Sequence, residues 1–517
     1  MVCGNEVIWI EVSALNTQRR FAEALEKMAP AFDQGNPGII PWKLRGQALY
    51  GLGRWAEAVG AFAKVLQWVP DDGESYEHLA KTLLAMDRHD QALLTVERGL
   101  MLNDGNQALL SLRFVLLWRV GNRDAALRLA HQHLQDHPGD GSMWHERGTV
   151  FLEQGADREA LFDLDRACHL LPDHSRVWGN RATALWRLGR YREALDDLNR
   201  AVELDPNNAS AQHHRALLWL FLGDFTLGFS AYEWRWSDPA HLAQRPSLSI
   251  PFWQGEVMTA ATLLVFPEQG YGDTIHFMRF LPRARRRVAK VIFWCSGPLA
   301  PLLRHAPGVD LLCDGEHPPP PCDRCVSLMS LPGVLQQTQE EIPGVSDYLP
   351  EFAWAKPFRT TAAGLRVGLV WRGRPTHRND HNRSLRFTWF EPFLDWDFIT
   401  WTCLQADGRE EVAKNPHWLK RMDCPDLVDF AATARIVQTL DLVITVDTAV
   451  AHLAGALGCP VWVLLPFVPD WRWGPEGETT VWYPSMRLFR QPSLGDWESV
   501  RKQVQMELNK NCFNDRH

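Results

Sequence analysis

Residues 442–465, LVITVDTAVAHLAGALGCPVWVLL, decide the fold of the second half of the chain. They read as a short apolar strand, a polar turn, a small-residue helix and a second β-branched strand. Such a unit is half of a parallel α/β layer, in which ligands gather at the carboxyl ends of the strands. Asp447 and Thr448 fall where the first strand ends and the helix begins. Thr448 is placed to cap that helix, whose free N–H groups and positive dipole end suit an anion such as a nucleotide diphosphate. His452 stands four residues on, on the same helical face as Thr448. A plain capped helix in a buried sheet would show the same pattern.

Strand–helix alternation extends on both sides. A lobe opens at Leu365 with RVGLVW, a strand running into RGRPTHRNDHNRSLR. Further strands are predicted at 398–404, 442–446 and 461–465, with a helix at 430–439, which implies a parallel sheet. An earlier lobe begins with a strand at 262–266, followed by PEQGYGDTIHFMRFLPRAR. Gly270 and Gly272 allow a tight turn, Asp273 or Thr274 caps, and Ile275, Met278 and Leu281 mark a helix. A strand at 290–295, a helix around 298–306 and a strand at 325–328 complete that lobe. The G-x-G-x-x pattern lacks the third glycine of the dinucleotide fingerprint, because Ile275 stands there. Two such lobes make a cleft between carboxyl strand ends.

The first half repeats every 34 residues. Trp42, Tyr76, Leu110, Trp144 and Trp178 share one register, and Gly46, Ala80, Phe114, Gly148, Ala182 and Ala216 follow four residues after it. Alanines recur at Ala58, Ala92, Ala126, Ala160 and Ala194. Pro70, Pro138, Pro172 and Pro206 end helices, with Asp104 substituting once, and Gly53, Gly121, Gly155, Gly189 and Gly223 fill the turns, with Asp87 in the sixth place. Small residues let paired helices approach, and the prolines stop each pair so that the next can stack. The pattern resembles the tetratricopeptide repeat, a solenoid whose groove takes peptides or proteins in many relatives.

Composition bounds the rest. The 517 residues carry a net charge of −8, with 46% hydrophobic and 22% charged residues, which argues for a globular chain and against a general nucleic-acid binder. No apolar run is long enough for a membrane span, no signal peptide is read at the start, and a cytoplasmic location is expected. The ten cysteines are scattered, and only Cys322 and Cys325 form a CxxC, so reduced thiols and no metal site are expected.

The motifs EQGYGDTIHFMRFLP, GLVWRGRPTHRNDHNRSL and VDTAVAHLAGALGCPVWVLLPFVPDWRW resemble bacterial tetratricopeptide proteins with a glycosyltransferase module. That module is similar to the heptosyltransferases (glycosyltransferase family 9) and, more distantly, to protein O-GlcNAc transferases. The resemblance implies an α plus α/β chain, with a helical solenoid followed by a GT-B pair of Rossmann-like lobes. The expected domains are a degenerate helix pair at 1–38, repeats at 39–240, a linker at 241–260, an acceptor-side lobe at 261–358, a nucleotide-sugar lobe at 359–500 and a helical tail at 501–517. It further implies inverting, metal-independent sugar transfer from a nucleotide-diphosphate donor to a protein or glycan hydroxyl. No cofactor is expected beyond that substrate, and the repeat groove would bind a protein partner. The asparagine ladder of the O-GlcNAc transferase groove is absent, since its positions hold Leu44, His78, Leu112, Glu146, Asn180 and His214.

Residue by residue, Asp273 matches the candidate general base, because inverting transfer needs a carboxylate within reach of the attacking hydroxyl. Gln269, Gly270, Gly272 and His276 lie on the acceptor side of the cleft, as do Asp470 and Arg472 from the loop after Leu465. Asp447, Thr448, Ala449 and His452 match the segment that meets donor phosphates or sugar. Arg372, Arg374, Arg378, Arg383 and Arg386 crowd one loop, and a guanidinium there can meet the leaving diphosphate with two hydrogen bonds. Arg372 or Arg383 stands in for the lysine of the relatives, and Gln405 is expected at base or ribose. Two other readings share these residues: a non-catalytic repeat scaffold with a degenerate sugar-nucleotide module, and an epimerase of the same architecture.

Overall fold

The computed structural model describes residues 3–35, 37–238, 242, 245–313, 319–342, 349, 364–377 and 379–513. The 34-residue period becomes paired helices, among them Ile39–Gly51 with Trp55–Trp68 and Gly141–Gln154 with Asp157–Leu170. The small register positions are contact points. A Cβ on Gly46 would lie 2.6 Å from the Phe62 ring, and one on Gly148 2.8 Å from Leu164. Ala58, Ala92, Ala126 and Ala160 are fully buried. The turn position is left-handed throughout, and Asp87 adopts it at φ 61° without the help of glycine. The opening pair, Cys3–Thr17 and Phe21–Asp33, buries Val12, Ala24 and Met28 against Leu44 and Ala48.

The chain divides into two compact units, Met1–Leu185 and Trp186–His517. The division falls inside the helix Ser175–Arg187, so the last repeat helices, Tyr191–Leu204 and Ala209–Leu222, belong with the α/β part. Periodicity could not reveal this, because the repeat spacing continues unbroken across the boundary.

In the second unit the first sheet holds β1 (Met258–Phe266), β2 (Val288–Trp294), β3 (Leu311–Cys313) and β4 (Arg324–Ser327). The second holds β5 (Leu365–Val370), β6 (Ile399–Cys403), β7 (Met422–Asp423), β8 (Leu442–Val446), β9 (Val461–Leu465) and β10 (Met486–Arg490). The orders are β3-β2-β1-β4 and β10-β9-β8-β5-β6-β7, and every pairing is parallel. Numbered from its own first strand, the second sheet has the doubly wound pattern of dinucleotide-binding sheets, with its first strand central and later strands on both sides. The first sheet shows a similar arrangement cut off after its fourth strand. Strand order reverses between β1 and β4 in one sheet and between β5 and β8 in the other.

β8 and β9 are buried at every residue, as central parallel strands must be. β3, β7 and β10 escape the sequence reading because they are edge strands, too short or too mixed in composition to show a period. The expected tail is part of the second lobe. Helix Trp497–Phe513 inserts Val500, Val504 and Leu508 into the core around Trp371, Trp401 and Phe387. No helix among the described residues is long and apolar enough to cross a membrane.

Candidate functional site between the two sheets

The segments following β1, β5, β8 and β9 meet. Helix Tyr271–Phe277 starts after β1, and Asp273 in its first turn accepts the Gly270 amide on Oδ2 at 2.9 Å. Asp273 therefore does cap its helix, with one oxygen only. Its Oδ1 accepts from Arg472 Nη2 at 2.5 Å. Arg472 follows β9, and its Nη1 donates to Asp470 Oδ1 at 2.8 Å. One guanidinium thus joins a carboxylate of the first lobe to one of the second. The Arg472 side chain is 5% exposed, and its Nε has no acceptor among the described residues.

Gly272 brings the starts of two helices together. A Cβ there would sit 2.9 Å from His452 Cδ2 and 3.3 Å from Ala449 Cα. Helix Ala449–Ala456 follows β8 and opens at Thr448. The expected side-chain cap is not made. Thr445 Oγ1 donates to the Val446 carbonyl, so it receives the Thr448 hydroxyl at 3.1 Å. The Thr448 oxygen is thereby drawn toward the strand and away from the helix. The amides of Ala449 and Val450 have no acceptor among the described residues, which leaves these N–H groups at the positive end of the helix unpaired.

The arginine-rich segment splits in two. Arg383 Nη1 donates to the Asp447 carbonyl at 3.0 Å, tying the segment to the turn after β8. Arg372 is bonded instead to Asp407 at 2.7 Å and Glu411 at 2.5 Å. Both arginines are ion-paired, since Arg383 Nε also lies 3.4 Å from Asp380 Oδ1, but only Arg383 reaches the turn after β8. Gln405 lies two residues past the end of β6, where its Oε1 accepts the Arg372 amide and its Nε2 donates to Asp407. Arg374 is exposed with no side-chain partner among the described residues, and Arg378 lies outside them.

Charge is concentrated here. Burial, with the Asp470 charge beside it, pushes the Asp447 carboxyl up to about 6 against the opposing pull of Arg383. His276 and His452 are buried and both lie well below the ordinary imidazole range, because burial and the nearby arginines disfavour a further cation. Their Nδ1 atoms flank the Tyr483 hydroxyl at 3.0 and 3.1 Å. That hydroxyl has one proton and can donate to only one of the rings, so at least one histidine carries its proton on Nδ1 and donates to the oxygen. Trp473 stacks on His452 with centroids 5.3 Å apart. Trp471 and Trp473 are both buried, which fits packing. Tyr483 lies in no motif, so its bridging position is invisible in the sequence.

A second network, at the end of β1, also escapes the sequence reading. Arg235, from the turn Tyr232–Ser237 that closes the repeats, grips Glu268 with Nε at 3.0 Å and Nη2 at 2.7 Å. Nothing in the repeat pattern marks Arg235, and Glu268 stands out only as part of the EQGYGD string. Among the described residues no cluster of three or more histidine, cysteine or acidic side chains could hold a metal ion.

Comparison with known proteins bears most directly on the repeats. Profiles of the tetratricopeptide repeat match residues 49–113, 112–175 and 175–208. Protein FlbA of Caulobacter vibrioides is 27% identical over 470 residues, covering 85% of this chain and 73% of that protein. Among solved structures, a chain of the APC/C hetero-tetramer Cut9–Hcn1 is 18% identical with a TM-score of 0.37, covering 46% of each chain. This protein therefore spans less than half the length of that neighbour. A thermophilic tetratricopeptide protein of Thermus thermophilus is 23% identical with a TM-score of 0.32, covering 35% of this chain and 100% of that one. Residues 49–208 are thus an array of tetratricopeptide repeats.

Proposed function

We propose that the α/β half is a GT-B type, inverting, metal-independent glycosyltransferase. It moves a sugar from a nucleotide-diphosphate donor to a hydroxyl of a protein or glycan, and the repeats recruit that acceptor or a partner. The observation that carries this reading is the convergence of Asp273, Arg472, Arg383 and the open amides of Ala449 and Val450 from two doubly wound sheets. Ligands of such sheets sit where strand order reverses, and Arg383 and Asp447 flank that point in the second sheet.

In the reaction the acceptor oxygen attacks the anomeric carbon from the face opposite the diphosphate. Asp273 takes the hydroxyl proton while the bond from the anomeric carbon to the diphosphate oxygen breaks. The electron pair of that bond leaves with the nucleoside diphosphate, whose growing charge is met by guanidinium groups and the helix amides. An anion that draws Arg472 toward itself would release Asp273 to act as the base.

The ion pair on Asp273 equally suits a second reading, a repeat scaffold whose sugar-nucleotide module binds without turnover. A thermal-shift screen against nucleoside diphosphates and their sugars, followed by transfer assays with cell extract, tests both. A donor at a hundredfold excess over its Kd stabilises the native state by about 2.7 kcal/mol. Donor hydrolysis or transfer that vanishes in Asp273→Ala, with donor binding kept, supports the transferase. Donor binding with no turnover in the parent protein supports the scaffold.

A further inference from the structure

The crevice at the carboxyl end of the first sheet is filled by the protein itself. In that sheet strand order reverses between β1 and β4, the place where doubly wound sheets hold a ligand. Arg235 occupies it. All five of its N–H groups are engaged: Nε and one Nη2 proton with Glu268 after β1, the other Nη2 proton with Ser330 after β4 at 2.7 Å, and Nη1 with the Tyr232 carbonyl and Glu233. Ser327, the last residue of β4, also bonds Glu268. The guanidinium is fully buried, with its central carbon 4.4 Å from the Tyr232 ring centre and 4.5 Å from that of Trp236.

The residue after Glu268 carries strain. Gln269 is not a glycine, yet it adopts a left-handed φ of 64°. Such a conformation persists only where the surroundings over-determine it. Here the Gln269 side chain donates to the Tyr232 hydroxyl at 3.0 Å, beside the Arg235–Glu268 fork. The strained turn hands the chain to Gly270, whose amide bonds Asp273. The helix preceding Tyr232 touches the other lobe, with Phe229 at 6.0 Å from Trp471, next to Arg472, and Phe225 at 5.1 Å from Trp482.

We infer that Tyr232 and Arg235, at the end of the repeat array, are positioning residues for Asp273, acting through Glu268 and Gln269. The inference rests on the transferase reading for its consequence, and on the geometry for its cause. The end of the repeat array is then part of the reaction site as well as a recruiting arm, because the sequence that ends the repeats sets the turn that aims the base.

The test uses the full chain and two readouts. Tyr232→Phe removes one hydroxyl and keeps the ring that packs on Arg235. Amide exchange over 267–273 is expected to quicken about fivefold or more in this variant. With donor and acceptor present, kcat is expected to fall about tenfold with donor KM unchanged, the split expected when a group is misplaced in the transition state alone. Arg235→Lys keeps the charge, loses the fork and should show the same pattern more strongly. Phe225→Leu, which loosens packing on Trp482 without touching 268–270, should lower the melting temperature and leave exchange at 267–273 as in the parent. Unchanged exchange in Tyr232→Phe overturns the inference, as does unchanged kcat in an active protein. A parent that transfers no sugar sinks the transferase reading instead, and the exchange measurement then decides the inference alone.

Discussion

Arg472 donates to Asp273 across the two lobes at 2.5 Å while it holds Asp470 at 2.8 Å. The candidate base is therefore stored as an ion pair with a cation that an anionic donor could claim. Asp273→Asn keeps the shape and one acceptor oxygen, so it holds either the Gly270 amide or Arg472 but not both, and it removes the charge and the ability to take a proton. Transfer is expected to drop by about 10²–10⁴-fold with donor affinity within about threefold of the parent. Kinetics beside titration calorimetry check this, and an Asn variant that transfers at the parental rate removes Asp273 from the mechanism.

The two arginines on either side of the site should respond differently to loss of charge. Arg472→Gln leaves Asp273, 21% exposed, and Asp470, 37% exposed, without their shared cation, at a cost of about 1–3 kcal/mol once solvent screening is allowed for. Arg372 pairs with Asp407, which is 64% exposed, and with Glu411, so Arg372→Gln costs at most about 1 kcal/mol. Donor binding should weaken for Arg472→Gln and for Arg383→Gln but not for Arg372→Gln. Urea unfolding of the full chain and donor titrations check the order; equal losses at 372 and 472 would contradict it.

Much of this arrangement is legible in the chain, for physical reasons that can be named. Residues 442–465 read as strand, turn, helix and strand because both strands are buried on both faces and their apolar runs are nearly uninterrupted. The repeats are legible because a Cβ at Gly46 or Gly148 has no room, which fixes small residues at a constant spacing. What sequence could not supply is the partner of each charge. Arg372 and Arg383 stand eleven residues apart in one basic string, and only the fold turns one to Glu411 and the other to the Asp447 carbonyl. Thr448 has the sequence of a cap, yet Thr445 three residues earlier takes its hydroxyl. Arg235 and Glu268 belong to different segments, and no periodicity links them.

Asp447 makes stability depend on pH in an unusual direction. Its carboxyl is pushed up to about 6 from the ordinary 3.8 by burial and by Asp470. Between those values the folded chain keeps a proton that the unfolded chain releases, so stability falls as pH rises through the window and stays reduced above it. The full cost is about 3 kcal/mol, at roughly 1.4 kcal/mol per unit. Asp447→Asn should therefore raise the melting temperature at pH 7.5, and the gain should shrink toward pH 4. The same variant should bind donor more weakly if the carboxylate meets sugar or ribose hydroxyls. Melting curves from pH 4 to 8 decide the first point, and a gain that grows as the pH falls would reverse the assignment.

Gly272 tests whether the contact between the two helix starts matters. Its backbone is not left-handed, so the constraint is space alone. A methyl group there would press on the Ala449 Cα at 3.3 Å, which is backbone, and on His452 Cδ2 at 2.9 Å. His452 has little freedom to yield, since Tyr483 bonds its Nδ1 and Trp473 stacks on its ring. Gly272→Ala should therefore part the two lobes at the open amides, at an overpacking cost of about 1–3 kcal/mol. If about 1.4 kcal/mol of that appears in binding, donor affinity falls tenfold. Gly270→Ala is the comparison, because its added carbon meets only Asp273 Oδ2, at 3.3 Å, within its own lobe. Its effect on donor affinity should be several-fold smaller. Calorimetric titration of both variants with the donor found by screening measures the difference. Equal losses would mean that the interlobe contact at Ala449 and His452 does not shape the binding site.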